Sequence, residues 1–208
     1  MVFDKMAAIT GGIGSGKTYI SNIFQEFGIP VFNTDNCAKN IMNKDTRIIS
    51  EFCSIFGNEI YKNGELDRKA LGDIIFYDKK KLDYLEALVH PAVLKEFMDW
   101  KFEKIHKENY PFVMMENAIL TKSKTHKLFD LVVFVDAPMS LREERIMSRP
   151  GMTKEKMEIV IKQQSGVTDV YLELISSGIK VYNIFNDGKD IKNRVKECVE
   201  IYKDYFKK

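Results

Sequence analysis

The sequence lacks any apolar run approaching the roughly 20 residues that a membrane-crossing helix needs. The apolar stretch in MVFDKMAAITGG at its start is too short for a signal peptide and runs straight into glycines, so it reads as a first strand. Together these absences set the expectation of a soluble, cytoplasmic protein. Cysteine is scarce: Cys37, Cys53 and Cys198 are odd in number, far apart and without Cys-x-x-Cys spacing. That pattern suits reduced thiols rather than a disulfide framework. His90, His106 and His126 are equally scattered, and no zinc-ligand spacing is legible among them. An excess of one charge is missing too. The 32 basic and 30 acidic residues are mixed along the chain and leave a net charge of +2, which removes bulk attraction to a nucleic-acid backbone. There are five prolines, no internal repeats and no low-complexity tract.

What is present is an ordinary globular composition, 45% hydrophobic and 30% charged, in 208 residues. That length supports one substantial core with room for a smaller inserted piece. Short apolar runs at 6–10, 30–33, 112–115, 131–136 and 180–185 read as five strands, with helical patterns between them. Strands alternating with helices imply βαβ crossovers and a parallel sheet flanked by helices, an α/β fold. The run LVVFVD shows no polar alternation, as a strand covered on both faces requires. Two intervals break the alternation. Residues 36–109 form a long helix-rich stretch with a turn expected at Asn63-Gly64 and a break at His90-Pro91. Residues 140–165 carry two helical patterns hinged at Pro150-Gly151, the layout of a small lid.

Residues 11–18 read GGIGSGKT, which fits Gly-x-x-x-x-Gly-Lys-Thr. In such a loop the backbone N–H groups of Gly12, Ile13, Gly14, Ser15 and Gly16 surround a phosphate, Lys17 reaches the outer phosphates and the Thr18 hydroxyl meets Mg²⁺. A helix expected over 19–27 adds its dipole and unpaired N–H groups to the anion site. A glycine-rich turn without nucleotide is the alternative; the strand–loop–helix order speaks against it. Asp35 follows the second strand, where the carboxyl edge of a parallel sheet forms the ligand crevice. There it can orient an acceptor hydroxyl and take its proton, or it can cap the helix starting near Asn36, and both roles can coexist. Arg142, Arg145 and Arg149 stand at i, i+3 and i+7, along one side of the first lid helix. Either that side closes over a transferring phosphoryl group, or it is a solvated face paired with Glu143 and Glu144; the phosphate loop favours the first. Glu116 ends the third strand and is a candidate for Mg²⁺ or substrate. His90 next to Pro91 reads, on chemistry alone, as a structural residue.

These stretches together resemble the dephospho-CoA kinase family, from the first strand to about Gln164. The resemblance is carried by ITGGIGSGKT, VFNTD, NGELDRKALGDIIF, LEALVHPAV and REERIMSRPGMT. The glycine loop is shared with many kinases; the Leu-Asp-Arg segment followed by Leu-x-x-Leu-x-His-Pro is particular to this family. The resemblance implies a P-loop kinase fold of the nucleoside-monophosphate-kinase type: a core at about 1–35, 110–139 and 166–208, a helical coenzyme-binding insertion at about 36–109, and a lid at about 140–165. It implies transfer of the γ-phosphoryl group of ATP to the ribose 3′-hydroxyl of dephospho-CoA, with Mg²⁺ as cofactor. Lys17, Asp35 and Arg145 match its catalytic positions, and Arg149 and Asn186 match further ATP-side positions. Asp67, Arg68, His90 and Pro91 match the motif associated with the acceptor, which brings His90 to the substrate.

The chain departs from the family at several places. Arg142 stands where glutamine is usual, Pro150 where aspartate is usual, and Ala118 and Lys122 replace a proline and a glutamate. After Gln164 an Ala-Asp pair is missing, while IFNDG keeps Asn186 and Gly188. The competing readings are another small-metabolite or nucleoside-monophosphate kinase, and a nucleotide-dependent switch. The Leu-Asp-Arg and His-Pro segments argue against the first, and the absence of an Asn-Lys-x-Asp signature argues against a guanine-nucleotide switch. Expected partners are the small molecules ATP and dephospho-CoA, without nucleic acid or membrane, acting on a monomer.

Overall fold

Strand β1 (Met6–Gly11) is buried at every residue, and this fixes where the sheet's centre lies. A computed structural model of the chain describes residues 5–163 and 167–207. Residues 1–4, ahead of the first strand, and Gln164 and Ser165, at the end of the expected lid interval, lie outside the described residues.

The chain divides into two compact units, residues 1–32 with 101–208, and residues 33–100. In the first, β1, β2 (Val31–Asn33), β5 (Val113–Glu116), β6 (Leu131–Asp136) and β7 (Lys180–Phe185) form one sheet in the order β2-β5-β1-β6-β7. β1 pairs in parallel with β5 and β6, and β6 with β7. The five-stranded parallel sheet expected from the apolar runs is therefore the sheet observed, β6 and β7 to the residue, β1 and β2 within one residue at one end, and β5 shifted by one residue at both.

Side-chain alternation assigns the sheet's faces. Ala7, Ile9, Met114, Val133, Val135 and Ile184 share a core with Ile20, Ile23 and Phe24 of α1 (Lys17–Glu26) and Val195, Cys198 and Tyr202 of α9 (Ile191–Phe206). Spacings of three and four place these helical residues on single stripes. On the other face Phe134 meets Tyr171 of α8 (Val167–Ser176) edge to face, with ring centroids 5.2 Å apart. Two further helices, α6 (Met139–Met147) and α7 (Lys154–Gln163), follow β6. The expected hinge lies between them, with Gly151 in the left-handed region at φ 73°.

The second unit holds α2 (Thr34–Lys44), α3 (Thr46–Phe56), α4 (Arg68–Tyr77) and most of α5 (Lys79–Phe102). It is not wholly helical: β3 (Tyr61–Lys62) and β4 (Glu65–Leu66) pair as an antiparallel hairpin. Asn63 and Gly64, both at positive φ, make its two-residue turn, where the sequence signalled one. Asn33, Asp45 and Asp67 cap α2, α3 and α4 through their side-chain oxygens. Asn33 Oδ1 accepts from the Asn36 amide at 2.8 Å, so Asp35 is a first-turn residue and not the cap.

The expected break at His90-Pro91 is overturned, because α5 runs through Pro91 without interruption. Proline removes the donor to the Ala87 carbonyl and costs about 3 kcal/mol in a helix interior. Val89, Val93 and Phe97, four residues apart and all buried, offset this at roughly 1.5–3 kcal/mol each and keep the helix whole.

Candidate active site

The loop between β1 and α1 is shaped by glycine. Gly14 and Gly16 sit at φ 76° and 92°, where other residues are strained. A Cβ on Gly14 would stand 2.7 Å from the Arg142 carbonyl oxygen, and one on Gly16 would stand 2.3 Å from Asn186 Nδ2. The loop is thus pressed between α6 and the residue following β7. Lys17 opens α1, two residues earlier than the expected helix start, and its Nζ donates to the carbonyls of Gly11 and Gly12 at 2.9 and 3.0 Å. The ammonium is held at the loop while the first amides of α1 have no intrahelical acceptor.

Glu116 reaches this loop by alternation. It lies two residues beyond Met114 and beside Ile9 in the register, so its carboxylate faces the side covered by α1. There its Oε1 accepts from the Thr18 hydroxyl at 2.8 Å. A hydroxyl and a buried carboxylate side by side are hard oxygen donors of the kind that hold Mg²⁺, which typically takes one or two protein oxygens and fills its remaining positions with phosphate and water. Among the described residues no cluster of three or more His, Cys, Asp or Glu forms a ready metal cage. The residues present therefore fit a metal that arrives with its phosphates.

The three arginines divide. Arg142 is buried and Arg145 half-buried, and both donate to loop carbonyls: Arg142 Nε to Ile13 at 2.9 Å, Arg145 Nη1 to Gly14 and Ser15 at 3.3 Å each. Arg149 is exposed. Asn186, 1% exposed, adds Nδ2 to the Ser15 carbonyl at 2.8 Å. Its Oδ1 and the Ser15 hydroxyl are buried without partners among the described residues, leaving hydrogen-bonding capacity unmet beside the loop.

This is the architecture of a nucleotide-phosphate site, and the family follows from the comparison of the chain with known proteins. A family model described as dephospho-CoA kinase matches residues 5–170. The chain belongs to the dephospho-CoA kinase family. A dephospho-CoA kinase from Porphyromonas gingivalis is 37% identical over 149 residues, 72% of each chain. One from Bacillus thuringiensis is 34% identical over 181 residues, 86% of this chain and 87% of the other. A crystal structure of a Thermus thermophilus protein, 25% identical, superposes with a TM-score of 0.78 over 95% of this chain and 97% of the other. Membership makes the protein a phosphoryl-transferring P-loop kinase of coenzyme A biosynthesis.

Within the second unit, the residues expected on the acceptor side take distinct settings. Asp35 is exposed in the first turn of α2. Asp67 caps α4, accepting from the Lys69 and Ala70 amides, and pairs with Lys62 at 2.5 Å. The Lys62 hydrogen bond first, then the Ala70 amide, holds its carboxyl below the usual carboxylate range. Arg68 is exposed at the start of α4; His90 is half-buried and Pro91 exposed on α5.

Sequence reasoning passed over Asp136. It ends β6, its Oδ1 accepts from the Ala137 amide at 2.8 Å, and Arg142 Nη1 lies 4.0 Å away. The rule that singled out Glu116, an acidic residue closing a parallel strand, applies to it equally.

Proposed function

We propose that this protein transfers the γ-phosphoryl group of ATP to the ribose 3′-hydroxyl of dephospho-CoA, giving coenzyme A and ADP, the final step of coenzyme A biosynthesis. The observation that carries this reading is the glycine loop backed by the Thr18–Glu116 pair, in a chain of this family. The protein acts as a cytoplasmic monomer on two small molecules, ATP and dephospho-CoA.

The loop amides from Gly12 to Gly16 and the first turn of α1 bind the donor phosphates, and Lys17 leaves the Gly11 and Gly12 carbonyls to bridge the outer ones. Thr18 and Glu116 would hold Mg²⁺, which would supply positive charge to offset that of the donor phosphates. Asp35 orients the 3′-hydroxyl and accepts its proton as the oxygen attacks phosphorus. The bond from the γ-phosphorus to the bridging oxygen breaks, and ADP leaves with its electron pair. No covalent enzyme intermediate forms. Arg145 and Arg149 neutralise the equatorial oxygens, Arg145 turning from the loop carbonyls to do so. Asp67, Arg68, His90 and Pro91 line the acceptor side, with Arg68 and His90 suited to its phosphates, and Asn186 serves the nucleotide side.

Incubation with ATP, Mg²⁺ and dephospho-CoA is expected to yield coenzyme A and ADP in equal amounts. ADP without coenzyme A, or transfer to nucleoside monophosphates instead, would sink the reading.

A further inference from the structure

Three consecutive carbonyls of the phosphate loop, those of Ile13, Gly14 and Ser15, each accept from a side chain outside it. A trans peptide points the carbonyl of one residue and the N–H of the next in opposite directions. Tying these carbonyls outward therefore turns the amides of Gly14, Ser15 and Gly16 inward. The Ser15 amide does face into the loop, lying 3.3 Å from the Gly12 carbonyl. Among the outer donors, Arg145 and Asn186 converge on the Ser15 carbonyl, and Arg142 reaches that of Ile13.

We infer that Arg142 is a positioning residue of the phosphate loop, its Nε–H fixing the Ile13–Gly14 peptide so that the Gly14 amide is aimed at a bound phosphate. The inference rests on reading the loop as the ATP site. The fork of the guanidinium suits the task. Nε donates to Ile13 while Nη1 lies 4.0 Å from Asp136, whose own carboxylate is held by the Ala137 amide. Arg142 is 7% exposed, so water is a poor substitute for either partner. The fit is close as well as polar, since Gly14 lies directly under the backbone of Arg142 and has no room for a side chain. Arg142 thus ties the end of β6, the start of α6 and the tip of the loop into one frame, and it acts on phosphate through the loop rather than by contact.

The test compares Arg142→Met, which keeps length without a donor, with Arg142→Gln, which keeps a donor near the Nε position. ATP and adenosine are each titrated at equilibrium against the intact protein without acceptor. Arg142→Met is expected to weaken ATP binding about tenfold. Adenosine, which has no phosphate for the Gly14 amide, should keep its affinity, and Arg142→Gln should recover most of the ATP affinity. A purely structural role would lower both ligands together or neither. ATP binding unchanged in Arg142→Met, an equal loss for adenosine, or no recovery in Arg142→Gln overturns the inference. Should Arg142→Met fail to fold, Arg142→Lys, which keeps the charge and places no donor at Nε, replaces it against the same criteria. Failure of the unaltered protein to bind ATP would instead overturn the reading of the site, and the two failures are distinct.

Discussion

The hydroxyl of Thr18 donates to Oε1 of Glu116 at 2.8 Å, joining the first turn of α1 to the end of β5 across 98 residues of sequence. Glu116→Gln keeps an oxygen for that hydroxyl and removes the charge. It is expected to lower turnover about a hundredfold and to raise the Mg²⁺ concentration needed for half-maximal rate, with little change in melting temperature. Rates measured across a Mg²⁺ titration decide the matter; an unshifted titration would assign Glu116 to packing alone.

Lys17→Ala removes the ammonium held at the Gly11 and Gly12 carbonyls. A weakening of ATP binding by about tenfold to a hundredfold is expected, together with loss of transfer. Calorimetric titration with ATP tests this, and undiminished affinity would contradict the assignment of the loop.

Asp35 is exposed, and Asn33 relieves it of capping α2. Asp35→Asn should therefore fold normally and bind ATP with near-native affinity, while turnover falls by about two to four orders of magnitude. The informative comparison is single-turnover rate against ATP affinity in the same preparation. Near-normal transfer would remove Asp35 from the chemistry.

Tyr61 makes a pH-dependent contribution to stability. Its hydroxyl donates to the Met42 carbonyl at 2.7 Å, and burial, then the neighbouring Cys53, pushes its pKa up to about 12. An unfolded tyrosine ionises near about pH 10. Below that value both states hold the proton and the contribution is complete. Between about pH 10 and pH 12 the unfolded state releases its proton while the folded state keeps it, so stability falls as pH rises. Tyr61→Phe is expected to lose about 1 kcal/mol at neutral pH, a deficit that narrows above about pH 10. Urea unfolding of both proteins at neutral and alkaline pH measures the gap, and a gap independent of pH would refute the linkage.

The centre of the sheet was legible because buried parallel strands are unbroken apolar runs, as LVVFVD is in β6. KVYNIF, an edge strand in which only Ile184 is buried, was legible instead from its β-branched and aromatic residues. The hairpin was legible only as a turn. Asn63-Gly64 carries a backbone signal, while strands of two residues are too short for any period to show. Pro91 misled because a local penalty yields to burial at Val89, Val93 and Phe97, which depends on tertiary packing. At the site, the motif named Lys17 and Thr18 directly. The sequence put Arg142 on a side closing over the phosphoryl group; that it instead donates to the Ile13 carbonyl needed the structure, because spacing along one helix does not say which neighbour a guanidinium meets.

Cys198 lies in α9 against the sheet with no exposed surface, and burial pushes its thiol far above the usual range. Cys37 and Cys53 are half-buried in the second unit. The chain therefore carries its own clock for opening of the core. With serine at the other two positions, a thiol reagent can modify Cys198 only when α9 lifts from the sheet, so its labelling rate measures how often the floor beneath the nucleotide site comes apart.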